Sequence, residues 1–216
     1  YRKFIGERYE LFVDVGNVGP TYQPGHAHAD TFSFELYCDG QPTIVDTGIS
    51  TYEKNELRQE QRGTAAHNTV IVDNRDQTQV WGGFRVAKRA KIGNLKEDAN
   101  EIKATHNGYK NLGILHTRTV KAQHTNIQII DELTKGKTDE QKAFFHLHPM
   151  VGATEINISQ KSLTLIEKNI RISFDGNFLK MEKEEYRYAS GFNRTEIGER
   201  LVVSFYSHLQ TQIFFL

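Results

Sequence analysis

The sequence predicts an all-β fold, a multi-stranded sandwich of two stacked antiparallel sheets formed as one domain over residues 1–216. Two features carry that expectation. Apolar residues recur with a period of two, the mark of half-buried strands, and the runs are short and separated by polar turns. No segment with helical periodicity extends beyond about three turns.

Taken in order, the stretch from Thr31 to Cys38 places aromatics at 32, 34 and 37. A β-branched run follows at 69–73. Further strands are expected at 127–131, 142–148 and 201–206, and three in quick succession at 154–158, 162–166 and 170–174. Asp175-Gly176-Asn177 reads as a hairpin turn. The best candidate for a short helix, or an ordered loop, is the stretch from Tyr52 to Arg62. The 17 glycines and 4 prolines fall mostly between these runs, as turn residues should.

Composition narrows the function. Lys and Arg total 27 and Asp and Glu total 27, so the basic excess expected of a nucleic-acid binder is absent. Balanced charge leaves room for an acidic polymer bound through a local Arg and His cluster. The one cysteine, Cys38, has no internal disulfide partner and is expected as a buried strand thiol. No apolar run reaches the roughly eighteen residues of a membrane span. A chain opening Tyr1-Arg2-Lys3 without Met reads as a piece of a longer protein.

Three stretches break the strand pattern. Pro24-Gly-His-Ala-His-Ala-Asp30 sets His26 and His28 one residue apart, on one face if the segment is extended. Ile44-Val-Asp-Thr-Gly48 embeds Asp46 among apolar neighbours. Arg62-Gly-Thr-Ala-Ala-His-Asn-Thr-Val70 leads from His67 and Asn68 into a strand. His28, Asp46 and His67 together make a donor set suited to a zinc-like ion. Spacing alone leaves ordinary hydrogen-bonded structure as the stronger alternative. His146 and His148 share a strand face and are expected toward solvent or a loop, with a second polar site as the alternative. Trp81 is expected toward the core or a sheet edge, with stacking on a sugar ring as the alternative. No chemistry is assigned to His106 or His116.

In order and spacing, Gly25-His-Ala-His-Ala-Asp-Thr-Phe-Ser-Phe34, Asp46-Thr-Gly48, Tyr52 and Arg62 through His67-Asn-Thr-Val70 resemble the heparinase II/III-like lyases. The stretches His106–Tyr109, His116–Val120, Ile130–Leu133 and Phe145–Pro149 extend the resemblance over most of the chain. It implies the C-terminal sandwich of a polysaccharide lyase acting on an acidic polysaccharide, periplasmic or extracellular. It further implies an N-terminal α/α toroid in the same chain that supplies the remaining catalytic groups, so that the sandwich alone is inactive. The metal ligands it implies are His28, Asp46 and His67, holding a divalent metal, zinc or in some members calcium. His26 is implied as the catalytic residue of the cleft, with Tyr52 reaching substrate from a neighbouring loop.

Such lyases work by β-elimination. A base removes the proton beside a uronate carboxylate, the glycosidic oxygen leaves from the next carbon, and that oxygen is protonated. The carboxylate charge must be neutralised while enolate-like charge develops. His26 suits proton transfer or neutralisation, and Arg58 and Arg62 are expected to hold the polyanion by bidentate contacts. A second expectation from a different class stays open: a non-catalytic glycan-binding or structural domain in surface-polysaccharide biosynthesis.

Overall fold

A computed structural model describes residues 1–136 and 140–216, with all their side chains except those of 178 and 179. The first sheet is a meander of β1 (Arg2–Ile5), β2 (Tyr9–Val13), β3 (Phe34–Cys38) and β4 (Gln41–Ile44), paired in that order. Helix α1 (Glu56–Arg62) comes next, capped by Asn55, whose side chain accepts from the Arg58 amide at 3.0 Å. Then follow β5 (Val70–Val72) and the separate hairpin of β6 (Gln79–Trp81) and β7 (Arg85–Ala87). The remaining strands are β8 (Ile92–Glu97), β9 (Glu101–His106), β10 (His116–Ala122), β11 (Asn126–Leu133), β12 (Gln141–His146), β13 (Thr154–Asn157), β14 (Ser162–Leu165), β15 (Ile170–Gly191) and β16 (Arg194–Phe215). Among the described residues no helix is long and apolar enough to cross a membrane.

The second sheet is organised around β16. One edge of β16 pairs with β15 along most of its length. The other edge pairs with β12 through Arg200–Phe205 and then with β11 through His208–Phe214. Beyond β11 the order continues β10, β9, β8, while β14 and β13 extend the side of β15. Alternation positions the two faces: Tyr9, Leu11 and Val13 of β2, and Phe34, Leu36 and Cys38 of β3, point inward. They meet Ile129, Leu201, Val203, Phe205 and Ile213 in one shared core. Each such side chain contributes roughly 1.5–3 kcal/mol when taken fully out of water. Cys38 is buried and free, as expected.

Two local expectations are corrected. Asp175-Gly176-Asn177 is not a turn: β15 runs through it, with a register shift between Gly176 and Phe178. A Cβ on Gly176 would sit 2.5 Å from the His208 carbonyl oxygen, so glycine here admits a close strand approach. His146 does not face solvent. Because β12 lies between β16 and β5 and both its faces are covered, the His146 side chain is buried, while His148 past the strand end is half-buried.

A buried polar network locks the sheets to the irregular loops. Asp131 accepts Nε and Nη2 of Arg118 at 2.7 and 2.9 Å, and Nη1 of Arg118 donates to the carbonyls of Phe32 and Asn68 at 2.6 and 2.9 Å. His116 and His106 extend the network. Gly108 N–H donates to His106 Nδ1, so His106 Nε2 carries the proton given to His116 Nδ1, and His116 Nε2–H donates to Asp131. Both imidazoles are therefore neutral, in keeping with burial driving their pKa values down. Asn68 is a second hub. Its Nδ2 donates to the carbonyls of Phe34 and Val45 at 2.8 and 2.9 Å, and its Oδ1 accepts the His146 amide at 2.7 Å and the His146 ring at 3.0 Å.

Removing that hub strands two carbonyls and an amide inside the fold. Asn68→Ala should cost roughly 3 kcal/mol or more in urea unfolding; a loss below about 1 kcal/mol would mean that water replaces the side chain. The neutral imidazoles set an acid limit. Burial depresses His106 and His116, and lowers His146 to about 3, below the 6.5 of an exposed ring. The unfolded chain therefore takes up protons first, and their contribution, complete above pH 6.5, is lost as pH falls toward 3. The melting temperature should fall by roughly 5 °C or more between pH 7 and pH 4; a flat profile would contradict neutral rings.

Candidate functional site

The three irregular stretches converge at one end of the sandwich. Pro24-Gly-His-Ala-His-Ala-Asp30 is not an extended strand: the Ala27 amide closes a turn onto Pro24 O at 2.9 Å, and the Ala29 amide donates to Arg62 O. The turn separates the two histidines. His26 is exposed, edge-on to the rings of Tyr52 and Phe84 at centroid distances of 5.7 and 5.4 Å. His28 turns inward, its ring 5.3 Å from that of His67. Both still line one hollow of about 440 Å³, with Asp14 and Asp30 on its wall. Just after it the chain takes a strained step. Phe32 has φ 68°, held by its amide on Asp14 O and by Arg118 on its carbonyl. A left-handed aromatic residue costs on the order of 1–3 kcal/mol, which the buried network offsets.

Asp46 leaves the end of β4 in an Asx turn, one oxygen accepting the Gly48 amide at 2.8 Å. Gly48 has φ +72°, and a Cβ there would meet that of Ala189 at 3.1 Å, so only glycine fits the turn beneath β15. The other Asp46 oxygen contacts His67 Nδ1 at 2.5 Å. His67 is held by the short turn Thr64–Ala66 and by Asn68 behind it. Burial opposes charge on both partners, yet their mutual attraction wins: His67 is raised to about 9 and Asp46 lowered to about 2. His28 is lowered to about 3, by burial first and the neighbouring His67 second.

Two imidazoles and a carboxylate are the right chemistry for a zinc-like ion. His67 Nε2 is buried without a partner, and the Asp46 side chain keeps 31% of its surface accessible although it sits deep in the fold. Among the described residues no three His, Cys, Asp or Glu side chains are drawn close enough to enclose an ion as they stand. The structure therefore brings Asp46 and His67 into contact and sets His28 beside them.

Arg58 and Arg62 are placed differently from the expectation. They lie one turn apart on α1 with Gln61, and that polar face turns inward, leaving the arginines 1% and 0% exposed. Arg58 Nε and Arg62 Nη1 both donate to Gly83 O, at 2.8 and 2.7 Å. Arg62 also reaches Ala27 O at 3.0 Å, and Arg58 reaches Thr51 O. All their bonds go to backbone carbonyls, so neither guanidinium is free to grip a polyanion here. The 58, 61, 62 spacing was the available signal for one helix face. Tyr52 is 48% exposed, and the Arg58 guanidinium lies 5.0 Å from its ring centre and 4.6 Å from that of Phe84. Sequence reasoning missed Phe84, a lone aromatic in a hairpin turn.

With this geometry in view, the comparisons with known proteins agree on one family. The profile described as Heparinase II/III-like, C-terminal, matches residues 1–213. Among solved structures, a mutant of heparan sulfate lyase HepC from Pedobacter heparinus superposes with TM-score 0.75 at 18% identity, covering 95% of this chain and 33% of that one. The heparinase III BT4657 gene product gives TM-score 0.72 at 17% identity, covering 99% and 36%. A further heparinase III gives 0.71 at 17%, covering 97% and 35%. The chain thus spans about a third of the length of the structures it matches. No curated protein matches it in sequence. Sandwich, loop order and profile lead to one statement: this chain belongs to the heparinase II/III-like family, as its C-terminal domain.

Proposed function

We propose that this chain is the sandwich half of a polysaccharide lyase that opens uronic-acid polysaccharides by β-elimination. The observation that carries the reading is the division of the His-x-His pair. His26 stands exposed at the rim beside Tyr52, while His28 turns back toward the Asp46–His67 pair. A side chain kept in the open by a turn is available to substrate; one facing a buried ion pair is not.

In this reading His26 moves a proton or neutralises the uronate carboxylate, and Tyr52, in ring contact with it, is the second proton-transfer group. The proton beside the carboxylate goes to the base, the carbon–oxygen bond breaks as a carbon–carbon double bond forms, and the leaving oxygen takes up a proton. A preceding helical toroid of a longer chain would close the cleft over this rim, and the sandwich by itself would then be inactive. The family's solved members, heparan sulfate lyase and heparinase III, make sulfated uronate polymers the first substrates to try.

His28, Asp46 and His67 would hold a divalent cation, zinc first and calcium second. Bound there, it would supply positive charge in place of the proton that His67 shares with Asp46. It would also tie three loops together behind His26.

Incubating the protein that contains this chain with heparan sulfate, chondroitin, hyaluronan and alginate should raise ultraviolet absorbance from the unsaturated product. His26→Ala should reduce that rate by about 10²–10⁴-fold. No absorbance with any of the four would remove the lyase assignment, and full activity without His26 would remove His26 from the proton-transfer role. For the cation, His28→Ala and Asp46→Ala should each lower metal content by elemental analysis and lower the melting temperature. Equal metal in variant and wild type would exclude the site.

A further inference from the structure

The two arginines of α1 pose a physical question. Burying a cation without a counter-charge is costly, and here two lie side by side with no carboxylate among their partners, one Arg58 nitrogen having no hydrogen bond at all. What they hold in place is the tip of the β6–β7 hairpin. Gly82 and Gly83 turn the chain with φ +56° and +81°, and both guanidinium groups converge on Gly83 O. Gln59 adds a third tie, donating to Val80 O at 2.7 Å. The same Arg62 holds the loop of His26 through Ala27 O. Hairpin tip and His26 are thereby fixed relative to each other.

That rigid tip displays apolar surface to solvent. Trp81, expected in the core or at a sheet edge, is 42% exposed on this two-stranded hairpin, and Phe84 is 47% exposed. With Tyr22, His26 and Arg85 they border a hollow of about 440 Å³ that no carboxylate among the described residues lines. Flat rings held at fixed spacing suit the apolar face of a pyranose. Arg85 at the wall, with Arg58 and Arg62 behind, suits an anion on that sugar. An anionic ligand would also offset the charge buried beneath it.

We propose that the hairpin tip is a sugar-binding subsite adjoining His26, in which Trp81 and Phe84 stack on a pyranose ring and Arg85 meets its carboxylate or sulfate. This deepens the lyase reading by naming where the polymer lies next to the reacting bond, and it rests on that reading for the identity of the polymer.

Calorimetry on the full chain with a heparan sulfate tetrasaccharide, an alginate tetramannuronate and neutral cellotetraose tests it. At least one acidic sugar should bind saturably and more tightly than cellotetraose, and should shift the emission of Trp81, the only tryptophan in the sequence. Trp81→Ala and Phe84→Ala should each weaken its Kd by about three- to tenfold with the melting temperature retained. Acidic sugar affinity indifferent to both substitutions overturns the subsite, as does a silent Trp81 in a saturated complex. So does absence of acidic sugar binding, which would leave the tip as a packing surface for another protein. Because the readout is binding, an inactive protein with a Trp81-dependent isotherm keeps the subsite and loses the lyase. An active one whose affinity ignores Trp81 does the reverse.

Discussion

The fold's functional end depends on one buried ion pair. Arg118 and Asp131 sit on neighbouring strands deep in the second sheet, where neither charge would be tolerated alone. Their pairing leaves one Arg118 nitrogen free to reach two carbonyls outside the sheet, those of Phe32 and Asn68. These two residues belong to separate irregular stretches, one following His28 and the other following His67. A single guanidinium thus sets the distance between the segments that carry the site. His116, itself held by His106, gives Asp131 a third hydrogen bond, on the oxygen that also accepts Arg118 Nε.

The site shows a consistent division between groups that are held and groups that are offered. Asn68, Gln77 and Thr69 spend their side chains on backbone carbonyls of the loops around them. Arg58 and Arg62 do the same from the helix. His26, Tyr52, Phe84 and Trp81 make few polar bonds and stay exposed. Rigidity is built from polar residues inside, and contact surface from aromatic residues outside, which is how a loop-borne site attains the precision of one built on strands.

Much of this was legible in the sequence, and the exceptions have physical causes. Alternation reports which face of a strand is buried, so the strands around Leu36 and Ile129 were readable from their own residues. It fails for β12, whose two faces are both covered, and so His146 was misplaced. Turn residues were misread at Gly176, since a glycine admitting a close strand and a glycine turning a chain look alike until the partner strand is known. The loop histidines were found through the order and spacing of short motifs. Direction was the missing information: spacing says that His26 and His28 are near each other, but only the turn at Pro24–Ala27 determines that they part. The arginines were found but expected in the open, because an amphipathic helix with a polar inner face inverts the usual rule.

The long β15–β16 pair links the site to the far side of the molecule. Its exposed closing turn is tied back to the loop after β4: the Asn193 amide donates to Ser50 O, the Ala189 amide donates to Thr47 O, and the Phe192 ring lies 6.4 Å from that of Tyr52. The core is filled by the other end of the same two strands, beyond Leu201. Lengthening or trimming this one ribbon tip would therefore reshape the surface beside Tyr52 while leaving the packed interior untouched. Length at this tip is thus something the sandwich can vary without repacking.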